Sequence, residues 1–72
     1  MLAVATIGEK LKDARRRAVL TQEELAERSG VGVATIIRIE RGQITEPRVS
    51  TLRKLAGPLE LDARELIGDE PL

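Results

Sequence analysis

The chain has 72 residues, with 12 Lys and Arg balanced by 12 Asp and Glu, and it contains no Cys, His, Phe, Tyr or Trp. This length allows one small domain with an aliphatic core. The absence of Cys and His excludes disulfides, the common zinc sites and the usual catalytic triads, so we expect neither an enzyme nor a cofactor. The zero net charge argues against strong non-specific binding to polyanions.

No segment predicts export or membrane insertion. Residues 1–5 are apolar but too short for a signal peptide, and no run approaches the roughly 18 apolar residues of a transmembrane helix. We therefore expect a soluble, cytoplasmic protein. Residues 1–20 contain five basic and two acidic side chains, whereas residues 46–72 contain four basic and six acidic ones. A local basic face is thus compatible with the neutral total charge.

The first two helices are predicted by capping boxes, in which a Thr and a Glu three residues later bond to the backbone at a helix start. Residues 6–9 (TIGE) form one box, and apolar spacing extends helix 1 over about 7–18. Residues 21–24 (TQEE) form the second box and begin helix 2. Gly30 is expected to end helix 2, because glycine adopts the left-handed conformation readily.

Three further helices complete the pattern. Helix 3 is predicted over about 33–41, ending at Gly42, and a loop follows. Helix 4 begins near Arg48 and is expected to end near Ala56, because Pro58 has no backbone N–H to donate. Helix 5 begins at a cap on Asp62 and stops at Gly68. We expect one domain over residues 6–68, between a flexible segment at 1–5 and a loose tail at 69–72.

The spacing within helices 2 and 3 is typical of a helix-turn-helix motif. Ala26 is small where helix 2 must approach helix 3, and Gly30 follows four residues later in the turn. Ile36 and Ile39 are apolar at the two positions where helix 3 faces the core. Together these four positions satisfy the packing demands of the motif.

The segment LTQEELAERSGVGVATIIRIERG resembles the Xre/Cro-type family of phage repressors and bacterial regulators. The resemblance covers about residues 7–67, including LKDARRR before the motif and PRVSTLRKLAGPLELDARELIG after it. It implies an all-α, compact, five-helix lambda-repressor-like domain with a helix-turn-helix at helices 2 and 3. It also implies that helix 3 enters the major groove and that the protein binds operators as a dimer.

The resemblance assigns roles to individual residues. The positions that contact bases are Val33, Ala34, Ile37 and Arg38. Thr35 is a further candidate, because its hydroxyl can contact a base, a phosphate or its own helix backbone. The positions that contact phosphates are Gln22, Arg41, Gln43, Thr45 and Arg48. Arg15 and Glu40 match a structural salt bridge between helices 1 and 3.

The sequence departs from the family pattern in three places. Gly32 replaces the usual Ser or Thr cap of helix 3. Val33 and Ile37 replace residues that are more often polar; they contact thymine methyl groups, or else they widen the buried stripe or pack in a dimer. The loop after helix 3 carries Glu46 where basic residues are common, and this carboxylate would repel phosphate.

Two functions are compatible with these features. The first is sequence-specific binding to double-stranded DNA by a small transcriptional regulator, a repressor that acts as a homodimer on a palindromic operator. The alternative is a protein-interaction module on the same scaffold, such as an antitoxin that binds a toxin or another regulator and represses its own operon. The apolar residues of helix 3 and the neutral charge motivate the alternative. The resemblance implies a dimer surface on the helix 4–5 side, and residues 1–5 are a further candidate for it.

Overall fold

A computed structural model describes residues 6–67 of the chain, and this part is all-α. Its five helices are α1 (Ile7–Arg17), α2 (Gln22–Ser29), α3 (Val33–Glu40), α4 (Val49–Ala56) and α5 (Ala63–Ile67). The five predicted helices and the fold class are confirmed, with ends that differ from the predicted ones by about a residue. The predictions of a flexible segment at 1–5, of an end of helix 5 at Gly68 and of a loose tail at 69–72 concern residues outside the described part of the chain.

Local hydrogen bonds begin α1 and α2 where the sequence predicts. At α1 the Glu9 N–H donates to Thr6 Oγ1 over 3.1 Å, and the Thr6 N–H donates back to Glu9 Oε1 over 3.0 Å. At α2 the Glu24 N–H donates to Thr21 Oγ1 over 3.0 Å, and the Thr21 N–H donates to Glu24 Oε1 over 2.9 Å. Each box satisfies two N–H groups that a helix start otherwise leaves unpaired.

The capping carboxylates make stability depend on pH. Hydrogen bonds from Thr21 lower the pKa of Glu24 below its ordinary value of 4.5, and Thr6 does the same for Glu9. A lowered folded-state pKa contributes stability that is present above pH 4.5 and is lost as the pH falls through the folded-state pKa. Glu24→Gln keeps the acceptor oxygen but cannot titrate. In this variant we expect the unfolding free energy to fall less steeply as the pH is lowered below 4.5. Urea denaturation at a series of pH values measures this dependence. A dependence as steep as that of the unsubstituted protein would contradict the prediction.

One aliphatic cluster forms the core, and every helix contributes to it. Its members are Leu11, Leu20, Leu25, Val31, Ile36, Ile39, Leu52, Leu55, Ala56, Leu59 and Leu66. Both α1 and α2 pack against α3, while α5 packs against α1 and α4. Ile36 and Ile39 are fully buried, which confirms the predicted inner side of helix 3. The core therefore anchors one side of α3 and leaves the other side to solvent.

Several helices end in a left-handed residue, but these residues are not all glycines. Gly30 and Gly42 have φ of 76° and 79°, as their positions in the sequence predict. Val19 and Glu60 also have positive φ, 57° and 56°. After α1 the Val19 N–H donates to the Arg16 carbonyl over 3.0 Å, and the next N–H, that of Leu20, donates to the Arg15 carbonyl over 3.1 Å. This is a Schellman ending with a valine where glycine is usual.

Val19 is a strained position that substitution can improve. Its side chain is 85% exposed, so little packing is lost on its removal. A left-handed β-branched residue costs about 1–2 kcal/mol, and the added freedom of glycine in the unfolded chain offsets part of the gain. Val19→Gly is expected to raise the unfolding free energy by about 0.5–1 kcal/mol in chemical denaturation. The control is Ala18→Gly, which changes a right-handed residue and should lower the unfolding free energy. If both variants lose the same unfolding free energy, Val19 is not strained.

Candidate nucleic-acid interface

The helix-turn-helix presents the outward side of α3 to solvent. Gly30 makes the sharp turn between α2 and α3, and Val31 then enters the core. On α3, Ala34 and Arg38 are exposed and Thr35 is half-buried. These three predicted base-contacting residues therefore lie on the accessible part of the helix. Arg38 carries five N–H donors, which suit a bidentate contact with guanine.

Val33 and Ile37 occupy the border of this side of α3. Both are half-buried. Within residues 6–67, the half-buried apolar side chains that pack against the core are Ile7, Ala14, Ala26, Ile44, Leu61 and Ala63. Val33 and Ile37 do not belong to this set, so the expectation that they merely widen the buried stripe gains no support from the packing.

A largely buried ion pair holds α3 against α1. Glu40 Oε2 accepts from Arg15 Nε over 2.7 Å, and Glu40 Oε1 accepts from Arg15 Nη2 over 2.9 Å. The side chains are only 12% and 3% exposed for Arg15 and Glu40. Arg15 Nη1 also donates to the Leu20 carbonyl over 3.0 Å. The hydrogen bonds to Glu40 raise the pKa of Arg15, so the guanidinium stays charged. This is the arrangement that the resemblance implies for these two residues.

Gln22 joins the same network at the beginning of α2. Its Nε2 donates to Glu40 Oε1 over 3.1 Å. An amide nitrogen carries two N–H groups, so one bond to Glu40 leaves a second donor for an external acceptor. Glu40 therefore fixes the orientation of the side chain that the sequence assigns to a phosphate contact.

An open concavity of about 380 Å³ lies at the N-terminus of α2. It is lined by Lys12, Arg15, Thr21, Gln22, Glu23, Glu40 and Arg41. Gln22 and Arg41, which were assigned to phosphate contacts separately, thus line one surface. The N-terminus of α2 adds a partial positive charge and free N–H groups, which favour a phosphate. Glu23 is the opposing charge at this site.

Lys12 is a candidate that the sequence analysis missed. It is exposed on α1 and lines the concavity with Gln22 and Arg41. Residues 1–20 are rich in basic side chains, but nothing in their spacing distinguishes Lys12 from the others. The packing of α1 against α3 determines which of those basic residues lies near the N-terminus of α2.

The loop after α3 carries the remaining predicted phosphate contacts. The Gln43 and Ile44 N–H groups donate to the Arg38 carbonyl over 2.8 and 3.2 Å, which fixes the first part of the loop to the end of α3. Ile44 packs against the core. Arg41, Gln43, Thr45, Glu46 and Arg48 are exposed. The loop thus offers two arginines and one opposing carboxylate to an external ligand.

The start of α3 has no side-chain cap. Gly32 occupies the N-cap position with φ −60° and ψ 139° and makes no side-chain hydrogen bond. The first N–H groups of α3 have no intrahelical partners, so they remain available to an acceptor outside the protein. In residues 6–67 no group of three acidic, His or Cys side chains is arranged to hold a metal ion.

Comparisons with known proteins show the family to which this fold belongs. The model of a helix-turn-helix family, HTH_3, matches residues 11–66. The chain belongs to this family. Its Xre/Cro-like members include the immunity repressor protein of Bacillus phage phi105, which is 34% identical over 67 residues, covering 93% of this chain and 46% of the repressor.

Two further proteins are similar to this chain, one in sequence and one in structure. An uncharacterized HTH-type transcriptional regulator of Bacillus subtilis, RghRB, is 36% identical over 64 residues, covering 89% of this chain and 46% of its own length. The crystal structure of the biofilm regulator SinR in complex with DNA superposes with a TM-score of 0.82 at 31% identity, covering 85% of this chain and 97% of that one. The helix-turn-helix chain described here spans less than half the length of the curated relatives RghRB and the phage repressor. None of its helices within residues 6–67 is long and apolar enough to cross a membrane.

Proposed function

We propose that this helix-turn-helix domain binds double-stranded DNA sequence-specifically and acts as a transcriptional regulator, most directly as a repressor. The observation that carries the proposal is the exposed side of α3, which the Arg15–Glu40 pair holds beside the positive N-terminus of α2. In this arrangement α3 enters the major groove and the concavity at α2 receives a backbone phosphate. The relatives named as repressors and as DNA-bound regulators support the same function.

The contacts divide into two classes. On α3, the side chains that face the bases are Val33, Ala34, Thr35, Ile37 and Arg38. The side chains that face the DNA backbone are Gln22, Arg41, Gln43, Thr45 and Arg48, and we add Lys12. The neutral total charge of the chain is compatible with this role, because residues 46–72 hold six of the twelve acidic side chains and residues 1–20 hold only two.

We further propose that the protein binds a palindromic site as a homodimer. Val49 on α4 is 52% exposed and Ile67 on α5 is 36% exposed, so the α4–α5 side offers apolar surface to a second copy. A small core without disulfides also favours assembly. Sedimentation with a selected duplex measures the stoichiometry, and we expect two chains on each palindrome. One chain on each site would refute the dimer, and the binding of a toxin or another regulator instead of DNA would favour the protein-interaction function.

The test of the function is selection of bound duplexes from a random pool, followed by fluorescence anisotropy. We expect one sequence to be enriched, and Arg38→Ala to weaken its binding by about 5- to 150-fold for each bound chain, the affinity equivalent of about 1–3 kcal/mol for one bidentate base contact. Arg17→Ala is the matched control, because Arg17 is exposed and pairs with Asp13 on the same helix over 3.1 Å. No enrichment, or equal effects of the two substitutions, would overturn the function or the role of Arg38.

Lys12→Ala separates backbone contacts from base contacts in the same assay. Each lost phosphate contact should reduce the slope of log affinity against log salt by about 0.9, hence by about 1.8 when both chains of the dimer carry the substitution. Binding to selected and scrambled duplexes should weaken alike. Arg38→Ala should instead reduce the difference in affinity between the selected and the scrambled duplex. An unchanged salt slope in Lys12→Ala would remove Lys12 from the interface.

A further inference from the structure

An apolar strip lies on the outward side of α3, formed by Val33, Ala34 and Ile37. Ala34 is exposed, and Val33 and Ile37 are half-buried without belonging to the set that packs on the core. Residues four apart are neighbours on a helix surface, so Val33 and Ile37 form a continuous apolar surface with Ala34 beside it. The strip has no hydrogen-bonding side chain.

Positive charge lies at both ends of the apolar strip. Arg38 follows directly on the same helix and is exposed. The start of α3 itself has free N–H groups and a partial positive charge, because Gly32 supplies no cap. Lys12 and Arg41 line the concavity at the start of α2, together with the carboxylates of Glu23 and Glu40. An apolar surface bordered by cations fits a polyanion that presents apolar groups, and the DNA major groove does so through the C5 methyl group of thymine.

We propose that the apolar strip recognises thymine methyl groups, so that the preferred site is defined by thymines contacted by Val33, Ala34 and Ile37 beside a guanine contacted by Arg38. This inference rests on the proposed DNA-binding function. Because the strip can neither donate nor accept a hydrogen bond, it distinguishes base pairs through apolar contact alone. Adenine, guanine and cytosine present no methyl group at the corresponding edge.

Uracil provides a direct test, because it pairs as thymine does and differs only in lacking the C5 methyl group. Each selected thymine is replaced in turn by deoxyuridine, and binding to the full chain is measured by anisotropy. We expect a loss of about fourfold for each contacted thymine, the affinity equivalent of about 0.8 kcal/mol for a buried methyl group. Uracil in the flanking positions should have no effect. Specific binding that is equal for thymine and uracil duplexes would overturn the inference and leave the proposed function intact.

Substitutions in the strip assign each methyl group to a side chain. Val33→Ser and Ile37→Ser should each abolish the uracil effect at one thymine position while leaving it at the others. Val19→Ser is the matched control, because Val19 is an exposed valine in the turn after α1, outside both the strip and the proposed dimer surface, and it should retain the full uracil effect. If the serine variants in the strip keep every uracil effect, the strip does not contact the methyl groups. Failure to enrich any sequence would instead overturn both the function and the inference.

Discussion

Replacement of Arg15 by Ala is expected to lower the free energy of unfolding by about 3–5 kcal/mol, the usual cost of removing one partner from a buried ion pair. Glu40 accepts two hydrogen bonds from Arg15, and its side chain is 3% exposed. Without the guanidinium, a buried carboxylate keeps only the hydrogen bond from Gln22. The Leu20 carbonyl loses its donor as well.

This loss is large compared with the total stability of so small a domain. At about 0.05–0.15 kcal/mol per residue, a chain of 72 residues has an unfolding free energy of roughly 4–11 kcal/mol. We therefore expect Arg15→Ala to be partly or largely unfolded at 37 °C, and DNA binding to fall in proportion to the folded fraction. Thermal and urea denaturation followed by circular dichroism measure the change.

The matched control is Arg17→Ala, on the same helix and with the same change of residue. Arg17 pairs with Asp13 over 3.1 Å, but both side chains are largely exposed. An exposed pair of this kind contributes less than about 1 kcal/mol. A second variant, Arg15→Met with Glu40→Met, removes both charges and should recover much of the stability lost in Arg15→Ala. If Arg15→Ala costs no more than Arg17→Ala, the ion pair does not hold the helices together.

The features that the sequence could predict are mostly local. A capping box needs only residues three apart, so Thr6 and Thr21 mark the starts of α1 and α2 without any knowledge of tertiary structure. The inner side of α3 follows from helical periodicity, which places Ile36 and Ile39 together. The partner of Arg15 lies 25 positions away, and here the resemblance to known repressors supplied what spacing alone could not.

The features that the sequence could not predict depend on contacts between distant segments. Lys12 joins Gln22 and Arg41 only because α1 packs against α3, and no local pattern records that placement. Val19 and Glu60 adopt left-handed conformations against their own preferences. There the tertiary fold and the bonds that end the preceding helix outweigh the local cost.

Among the residues that the sequence pattern did not single out, Gly8 has the largest expected effect on the unfolding free energy. It lies inside α1, where glycine costs about 1 kcal/mol relative to alanine, and such a residue often marks a close approach of backbones. A Cβ atom at Gly8 would overlap the Ile39 carbonyl oxygen and lie 3.0 Å from that of Glu40. Both obstacles are backbone atoms at the end of α3, so no side-chain rotation can relieve the contact.

Gly8→Ala is therefore expected to lower the unfolding free energy by about 2–3 kcal/mol, because the cost of overpacking exceeds the gain in helix propensity. To admit the methyl group, α1 must move away from the last turn of α3. That movement shifts α3 relative to Lys12 and to the concavity at the N-terminus of α2. We expect the remaining folded protein to bind the selected duplex more weakly, in a titration corrected for the unfolded fraction by circular dichroism.

Gly32→Ala is the control for Gly8→Ala, because it adds the same methyl group where no atom lies within 4 Å. Its φ of −60° and ψ of 139° suit alanine, and the loss of a favourable N-cap residue is offset by reduced freedom of the unfolded chain. We expect a change within about 0.5 kcal/mol. If the two substitutions have equal effects on stability, the close approach of α1 to α3 does not constrain position 8. If Gly8→Ala destabilises the fold but the corrected affinity is unchanged, the position of α1 does not affect the interface.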